Sequence, residues 1–145
     1  MQIKFKKLCP EAVAPRQGTP GSAGFDLTAT AAWLESNTKM VKCNTGIAVE
    51  IPKGYVGLVF PRSSICRTVN RLSNCVGVID SDYRGEITAV FDVLPRDFGF
   101  RPNSYRAGDR FAQLVIVPIP KVEYVEVEEL TPTERGAGGY GSTGK

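Results

Sequence analysis

Residues 46–60 read GIAVEIPKGYVGLVF. Two apolar runs, 46–51 and 55–60, are separated by Pro52-Lys53-Gly54, with Asn44-Thr45 before the first and Pro61 after the second. Runs this short, rich in Val, Ile, Tyr and Phe and bounded by Pro, Gly and Asn, form strands rather than helices. The same grammar repeats outward. Residues 3–8 alternate apolar with charged, 40–43 is another short run, and 72–79 and 86–94 flank the acidic turn Asp80-Ser81-Asp82-Tyr83-Arg84-Gly85 as a hairpin. Residues 110–119 form a long apolar run after Ala107-Gly108-Asp109, and 122–127 alternates Val with Glu or Tyr. The 15 glycines and 10 prolines punctuate these runs at short intervals. One short helix is predicted over 63–69, capped by Ser63 or Ser64. Many short strands without helical periodicity predict an all-β sandwich, barrel or jelly roll.

With 145 residues and 42% hydrophobic content, the chain is one domain able to bury its own core. A net charge of +3 from scattered basic residues argues against a nucleic-acid surface. No apolar run approaches membrane-spanning length, and the start, MQIKFKKL, lacks the continuous apolar core of a signal peptide. The expectation is an intracellular, cytoplasmic protein with no membrane partner, acting inside a host cell if its source is viral. There are 0 histidines, which removes Ser-His-Asp and Cys-His catalysis and histidine-ligated metals. Acid–base chemistry must then use carboxylates, Tyr, Lys or water. The cysteines Cys9, Cys43, Cys66 and Cys75 match no zinc or redox spacing and read as reduced, mostly buried thiols.

Five islands are too polar or too glycine-rich for their place in a β fold. In Gly21-Ser22-Ala23-Gly24-Phe25-Asp26-Leu27, Asp26 reads either as a turn residue or as a holder of a hydrated Mg2+, a hard cation that prefers oxygen and keeps its waters. Pro61-Arg62-Ser63-Ser64, where a strand runs into a helix start, reads as a helix cap or as an anion site with free amides, hydroxyls and a guanidinium. In residues 74–87, Asp80 at a strand end is either part of an acidic turn or a partly desolvated base, since desolvation raises a carboxyl's pKa. Asn74 beside it carries both donor and acceptor and suits a base edge. In Gly108-Asp109-Arg110-Phe111-Ala112-Gln113-Leu114, Gln113 needs a hydrogen-bond partner if buried, and Arg110 is expected to be an internal ion-pair partner.

The fifth island is the end of the chain, residues 132–145, PTERGAGGYGSTGK. It has no apolar set to bury and is expected to be mobile in isolation. Glycine amides and hydroxyls can wrap phosphates, Arg135 can fork onto phosphate oxygens, and Tyr140 can stack on a ring. That equipment suits a lid over a nucleotide. Residues 139–145 also fit the start of a P-loop, but no strand leads in and no helix follows, so that match is rejected. A single Arg-Gly gives thin support for an RNA-binding tail.

Taken in order, the five islands resemble the motifs of the homotrimeric dUTPase family: residues 23–27, 61–64, 77–85, 108–113 and 135–144. The resemblance implies a jelly-roll or β-clip-like subunit with a core over residues 1–130 and a mobile lid over 131–145. It implies a threefold trimer whose active sites are shared between chains. The implied reaction converts dUTP and water to dUMP and pyrophosphate with Mg2+, which limits uracil incorporation into DNA and supplies dUMP for thymidylate synthesis. By matching positions, Asp80 resembles the general base that activates water at the α-phosphate. Asn74 and the hairpin backbone at Gly77, Val78 and Thr88 resemble the uracil readers, and Tyr83 the residue under deoxyribose. Arg62, Ser63, Ser64 and Gln113 resemble the phosphate contacts, and Asp26 the carboxylate that holds Mg2+ through water. In the tail, Arg135 resembles the γ-phosphate clamp and Tyr140 the ring over uracil, with Gly141 and Ser142 as further contacts.

Two positions depart from the family pattern. Tyr140 stands where Phe is usual, which keeps stacking and adds a hydroxyl. Ser64 stands where Gly is common, which alters the detail of the phosphate contact. The resemblance extends in part to dCTP deaminase, whose catalytic Glu falls where this chain has Val90. Valine cannot carry a proton, so deamination is not expected. An intact Asp80 and tail argue against a non-catalytic regulator and leave a second, partner-binding role open.

Overall fold

The computed structural model describes residues 1–35, 37–94 and 104–140. Its strands are β1 (Lys4–Lys7), β2 (Phe25–Thr28), β3 (Ala31–Glu35), β4 (Met40–Asn44), β5 (Ile47–Glu50), β6 (Tyr55–Pro61), β7 (Asn70–Leu72), β8 (Gly77–Ile79), β9 (Thr88–Val93) and β10 (Arg110–Pro118). A 3₁₀ helix, η1 (Ser63–Arg67), follows β6. Two four-stranded sheets, ordered β2-β10-β6-β8 and β3-β4-β9-β7, share one core, and β1 pairs with β5. All pairings are antiparallel.

The alternation that marks a strand also builds the core. Val41 and Cys43 of β4, Ala89 and Phe91 of β9, and Val59 of β6 turn inward while their neighbours face outward. A register shift in β10 between Arg110 and Ala112 inserts an extra residue, so consecutive Phe111 and Ala112 are both buried. Phe111 meets Phe91 edge-on at 6.1 Å, and Tyr105 packs against Phe91 at 4.9 Å. The bulge also sets Gln113 opposite Asp26 and leaves Arg110 opposite Thr28.

Several expectations need correcting. Residues 72–79 are not one strand. The chain breaks at Ser73–Val76, where Cys75 sits at φ 61°, a left-handed conformation uncommon outside glycine. β7 therefore joins one sheet and β8 the other. The acidic turn does not close a paired hairpin either: β8 pairs with β6, and β9 with β4 and β7. The predicted helix is a 3₁₀ turn that begins after Arg62, without a side-chain cap from Ser63 or Ser64. Residues 122–127 form no strand, and Tyr124 is 96% exposed. β2 and β3 lie in stretches the sequence did not mark as strands. Cys43 is buried, but Cys66 and Cys75 are exposed. No helix among the described residues is long and apolar enough to cross a membrane.

Candidate active site

The break between β7 and β8 opens a cleft between the two sheets. Its cavity, of about 250 Å³, is lined by Val59, Leu72, Ser73, Asn74, Gly77, Thr88, Ala89 and Val90. Gly77 favours close approach: a Cβ there would stand 3.1 Å from Cβ of Val59, tighter than an ordinary contact. Three expected base readers, Asn74, Gly77 and Thr88, thus converge on one narrow, largely apolar slot. Val78 points the other way and is exposed. Ser73, Ala89 and Val90 were not anticipated as cleft residues. Ala89 belongs to the core while Ser73 and Val90 are less buried, so only the fold reveals that all three line the cleft.

A second constellation joins β2, the end of β6 and β10. The Asp26 carboxylate accepts from Arg62 Nε at 2.8 Å and from Arg110 Nη1 at 3.0 Å, one guanidinium on each oxygen. Its side chain is only 11% exposed. A carboxylate this buried requires charged partners, and the two arginines meet that need. Arg110 is thus the internal ion-pair partner expected. Gln113 donates from Nε2 to the Pro61 carbonyl at 3.1 Å, which answers the partner it required. Its Oε1 lies where a Cβ on Gly24 would stand, only 2.7 Å from that position, so Gly24 makes room for it. Beside the Asp26 pair lies a cavity of about 370 Å³ lined by Arg62, Ser64, Arg67 and Arg110, with Asp109 as its one carboxylate among the described residues. Its cationic lining suits phosphate oxygens. Ser63 is exposed next to it.

Mg2+ finds a partial fit here. Both Asp26 oxygens already accept a guanidinium hydrogen bond, and no group of three or more Asp, Glu, Cys or His gathers among the described residues. Each carboxylate oxygen has a second lone pair. The donor set therefore suits an outer contact through water to an ion carried chiefly by phosphate oxygens, and not a closed protein cage.

Asp80 directly follows β8 and is exposed, so within one chain it lacks the desolvation expected of it. It lines an open groove of about 700 Å³ with Glu50, Lys53, Tyr55, Ser81, Asp82 and Arg84. The loop beyond it is tightly tied. Tyr83 N–H donates to the Asp80 carbonyl at 3.2 Å, Arg84 Nη1 donates to the Ser81 and Tyr83 carbonyls at 2.7 and 2.8 Å, and Tyr83 OH donates to the Glu86 carbonyl at 3.0 Å. Gly85 lets the Tyr83 ring lie against the backbone, where a Cβ would come within 2.9 Å of Cε2.

Ion pairs brace the surroundings. Asp92 on β9 accepts from Arg71 Nη2 at 2.7 Å and Ser73 Oγ at 2.9 Å, bonds that hold its carboxyl below the usual range. Lys4 does the same to Glu50. Burial, helped by Asp109, pushes the Cys43 thiol up to about 12, so it stays protonated and inert.

In the tail, Arg135 Nε donates to the Gly138 carbonyl at 3.0 Å and Gly136 N–H to Thr133 Oγ1 at 3.1 Å. Tyr140 is fully exposed at φ 48°. Among the described residues, hydrogen bonds from 121–140 stay within the tail. Gly141 and Ser142 lie outside the described residues. The fold and these sites define an all-β protein that offers a base-sized cleft, a cationic pocket and a loosely attached glycine-rich arm. Comparison with known proteins supplies the particular family.

The chain belongs to the dUTPase family, whose model matches residues 10–144. It is 42% identical to the deoxyuridine 5'-triphosphate nucleotidohydrolase of Nautilia profundicola over 146 aligned positions, with 100% of each chain covered. Among solved structures it resembles a mutant dUTPase of Staphylococcus bacteriophage 80alpha with dUpNHpp, at TM-score 0.85, 27% identity and 99% coverage of both chains. It also resembles a mutant dUTPase from phage phi11 of S. aureus, described with a structural Mg(II) ion, at TM-score 0.75, 26% identity and coverage of 89% of this chain and 98% of that one.

Proposed function

We infer that the chain hydrolyses dUTP to dUMP and pyrophosphate. The observation that carries this is the cleft of about 250 Å³ on which Asn74, Gly77 and Thr88 converge, in a chain of the dUTPase family. A slot lined by backbone on one side and an amide at its mouth matches uracil's donor–acceptor edge. Cytosine would leave a buried polar group mispaired, a far harsher penalty than a missing methylene contact. Val90 lines the same slot and offers no proton, which argues against deamination.

The base seats in the cleft, and Tyr83 underlies the deoxyribose, leaving no room for a 2′-hydroxyl. Arg62, Ser63, Ser64 and Gln113 hold the phosphates. Asp80 orients a water and takes its proton as the water oxygen bonds to the α-phosphorus, and the bond to the bridging oxygen breaks to release pyrophosphate. General-base assistance of this kind contributes roughly 10²–10⁴-fold. Asp26 would hold Mg2+ in outer contact through water, and the ion would supply neutralisation of charge on the leaving group. Arg135 adds to that neutralisation, and Tyr140 covers the uracil, with Gly141 and Ser142 following it.

The cleft with Asn74 is not lined by Asp80, and neither it nor the Asp80 groove is lined by Arg62 or Gln113. Their separation within one chain supports a homotrimer in which neighbouring subunits complete each site, and so does a tail whose described residues, 121–140, make no hydrogen bond to their own core. The decisive measurement is pyrophosphate release from dUTP, dCTP, dTTP and UTP with Mg2+. Release from dUTP alone is expected; equal release from dCTP or UTP overturns the assignment.

A further inference from the structure

Glu86 sits one residue past the motif that resembles the family's third, and its carboxylate points away from the groove of Asp80. Oε1 accepts from the Gly46 N–H at 2.7 Å, and Oε2 accepts from Asn44 Nδ2 at 2.9 Å. Its own carbonyl accepts from Tyr83 OH at 3.0 Å. Next to it, Thr45 Oγ1 donates to the Ile87 carbonyl at 2.7 Å, and Ile87 N–H to the Ile47 carbonyl at 2.9 Å. Gly46 holds φ 63°, a conformation that aims its N–H at the carboxylate.

We propose that Glu86 is a positioning residue for sugar selection: it anchors the limb that carries Tyr83 and Thr88 to the Asn44–Gly46 turn. The two ends of that limb have different tasks. Thr88 pairs with Asn44 in the sheet and lines the base cleft. Tyr83, hanging on the Glu86 carbonyl, projects from the other end over Gly85. One carboxylate therefore fixes the offset between the base cleft and the ring that meets the sugar. Charge-assisted bonds to a backbone N–H and an amide are among the stronger anchors available, and small misplacements at such a contact are costly to rate. This proposal rests on the assignment of Tyr83 to the deoxyribose.

The test compares kcat/KM for dUTP and UTP in the full chain and in Glu86→Ala, Glu86→Gln, Asn44→Ala and Tyr83→Ala. Glu86→Ala is expected to lower the dUTP-over-UTP preference by roughly tenfold or more, chiefly through a higher kcat/KM for UTP as space for a 2′-hydroxyl opens. Glu86→Gln should retain most of the preference. Its Oε1 still accepts from Gly46, and its N–H can donate to the Asn44 oxygen once that amide flips. Asn44→Ala, which leaves the Gly46 bond, should lose less than Glu86→Ala. If Tyr83→Ala loses the preference while a folded Glu86→Ala keeps it, Glu86 has no positioning role and the sugar assignment stands. If Tyr83→Ala keeps the preference, the sugar assignment itself fails and takes the proposal with it. Should Glu86→Ala not fold, Asn44→Ala decides: an unchanged preference there overturns the proposal.

Discussion

Asp26 shows how one residue can be structural and chemical at once. With a guanidinium on each oxygen, it bridges two arginines that would otherwise repel, and it holds Arg62 beside the cavity of about 370 Å³. Asp80 is the opposite case: it is exposed, and its carboxylate makes no hydrogen bond among the described residues. Asp80→Asn is therefore expected to fold normally, bind dUTP and lose turnover by roughly 10²-fold or more. Near-normal turnover beside intact binding, read by calorimetry and pyrophosphate release, removes the base assignment. The cysteines yield a second prediction. Cys43 is buried with its thiol raised to about 12, whereas Cys66 and Cys75 are exposed. An alkylating reagent at pH 8 should label Cys66 and Cys75 in the native protein and spare Cys43 until denaturant is added. Rapid native labelling of Cys43, read by peptide mass, contradicts the burial. Arg110 as an ion-pair partner was legible because a charge beside Phe111 in an apolar strand needs a counter-charge. The double pairing of Asp26 was not, because its partners lie 36 and 84 residues away.

At the scale of elements, β7 and β9 are clamped by Arg71, Ser73 and Asp92 at the wall of the base cleft. The Asp92 carboxyl titrates below its ordinary value because Arg71 and Ser73 bond to its charged form. A depressed folded pKa contributes stability above the unfolded value that is lost as pH falls through the folded one. Wild-type protein should thus lose more stability than Asp92→Asn as pH falls below the usual carboxylate range, measured by urea denaturation at stepped pH. Parallel curves for the two proteins rule the clamp out as a source of acid sensitivity. The strands at 46–60 and 110–118 were legible because each is a short apolar run with clear breakers at its ends. The division of 72–79 was not: a continuous apolar stretch carries no mark of where it changes sheet, and the turn is made by Cys75 in a conformation that sequence assigns to glycine. That hidden break opens the base cleft, so the most informative part of the site was also the part least visible in composition.

At the scale of the whole molecule, the chain leaves its core after Ile119, whose N–H bonds to the Gly54 carbonyl. Beyond it, Val122, Tyr124, Val125 and Val127 are exposed. The alternation at 122–127 suggested a strand, and the structure forms none there, because a period-two pattern marks a candidate strand without supplying the edge it would pair with. On the proposed reading of a trimer with shared sites, the core of one subunit would supply Asp80 and the arm of another would supply Arg135 and Tyr140. Truncation after Leu130 should leave a folded trimer with greatly reduced dUTP hydrolysis, and Asp80→Asn should be inactive for a different reason. The two defects then complement. Unfolding and refolding the two variants together at equal amounts builds mixed trimers in which a truncated chain gives Asp80 and an Asp80→Asn chain gives the arm. With random assortment about a quarter of the sites are complete, and activity returns to a comparable fraction of wild type. If each arm closes over its own subunit, every mixed trimer carries one defect or the other at each site, and the mixture is no more active than its parts.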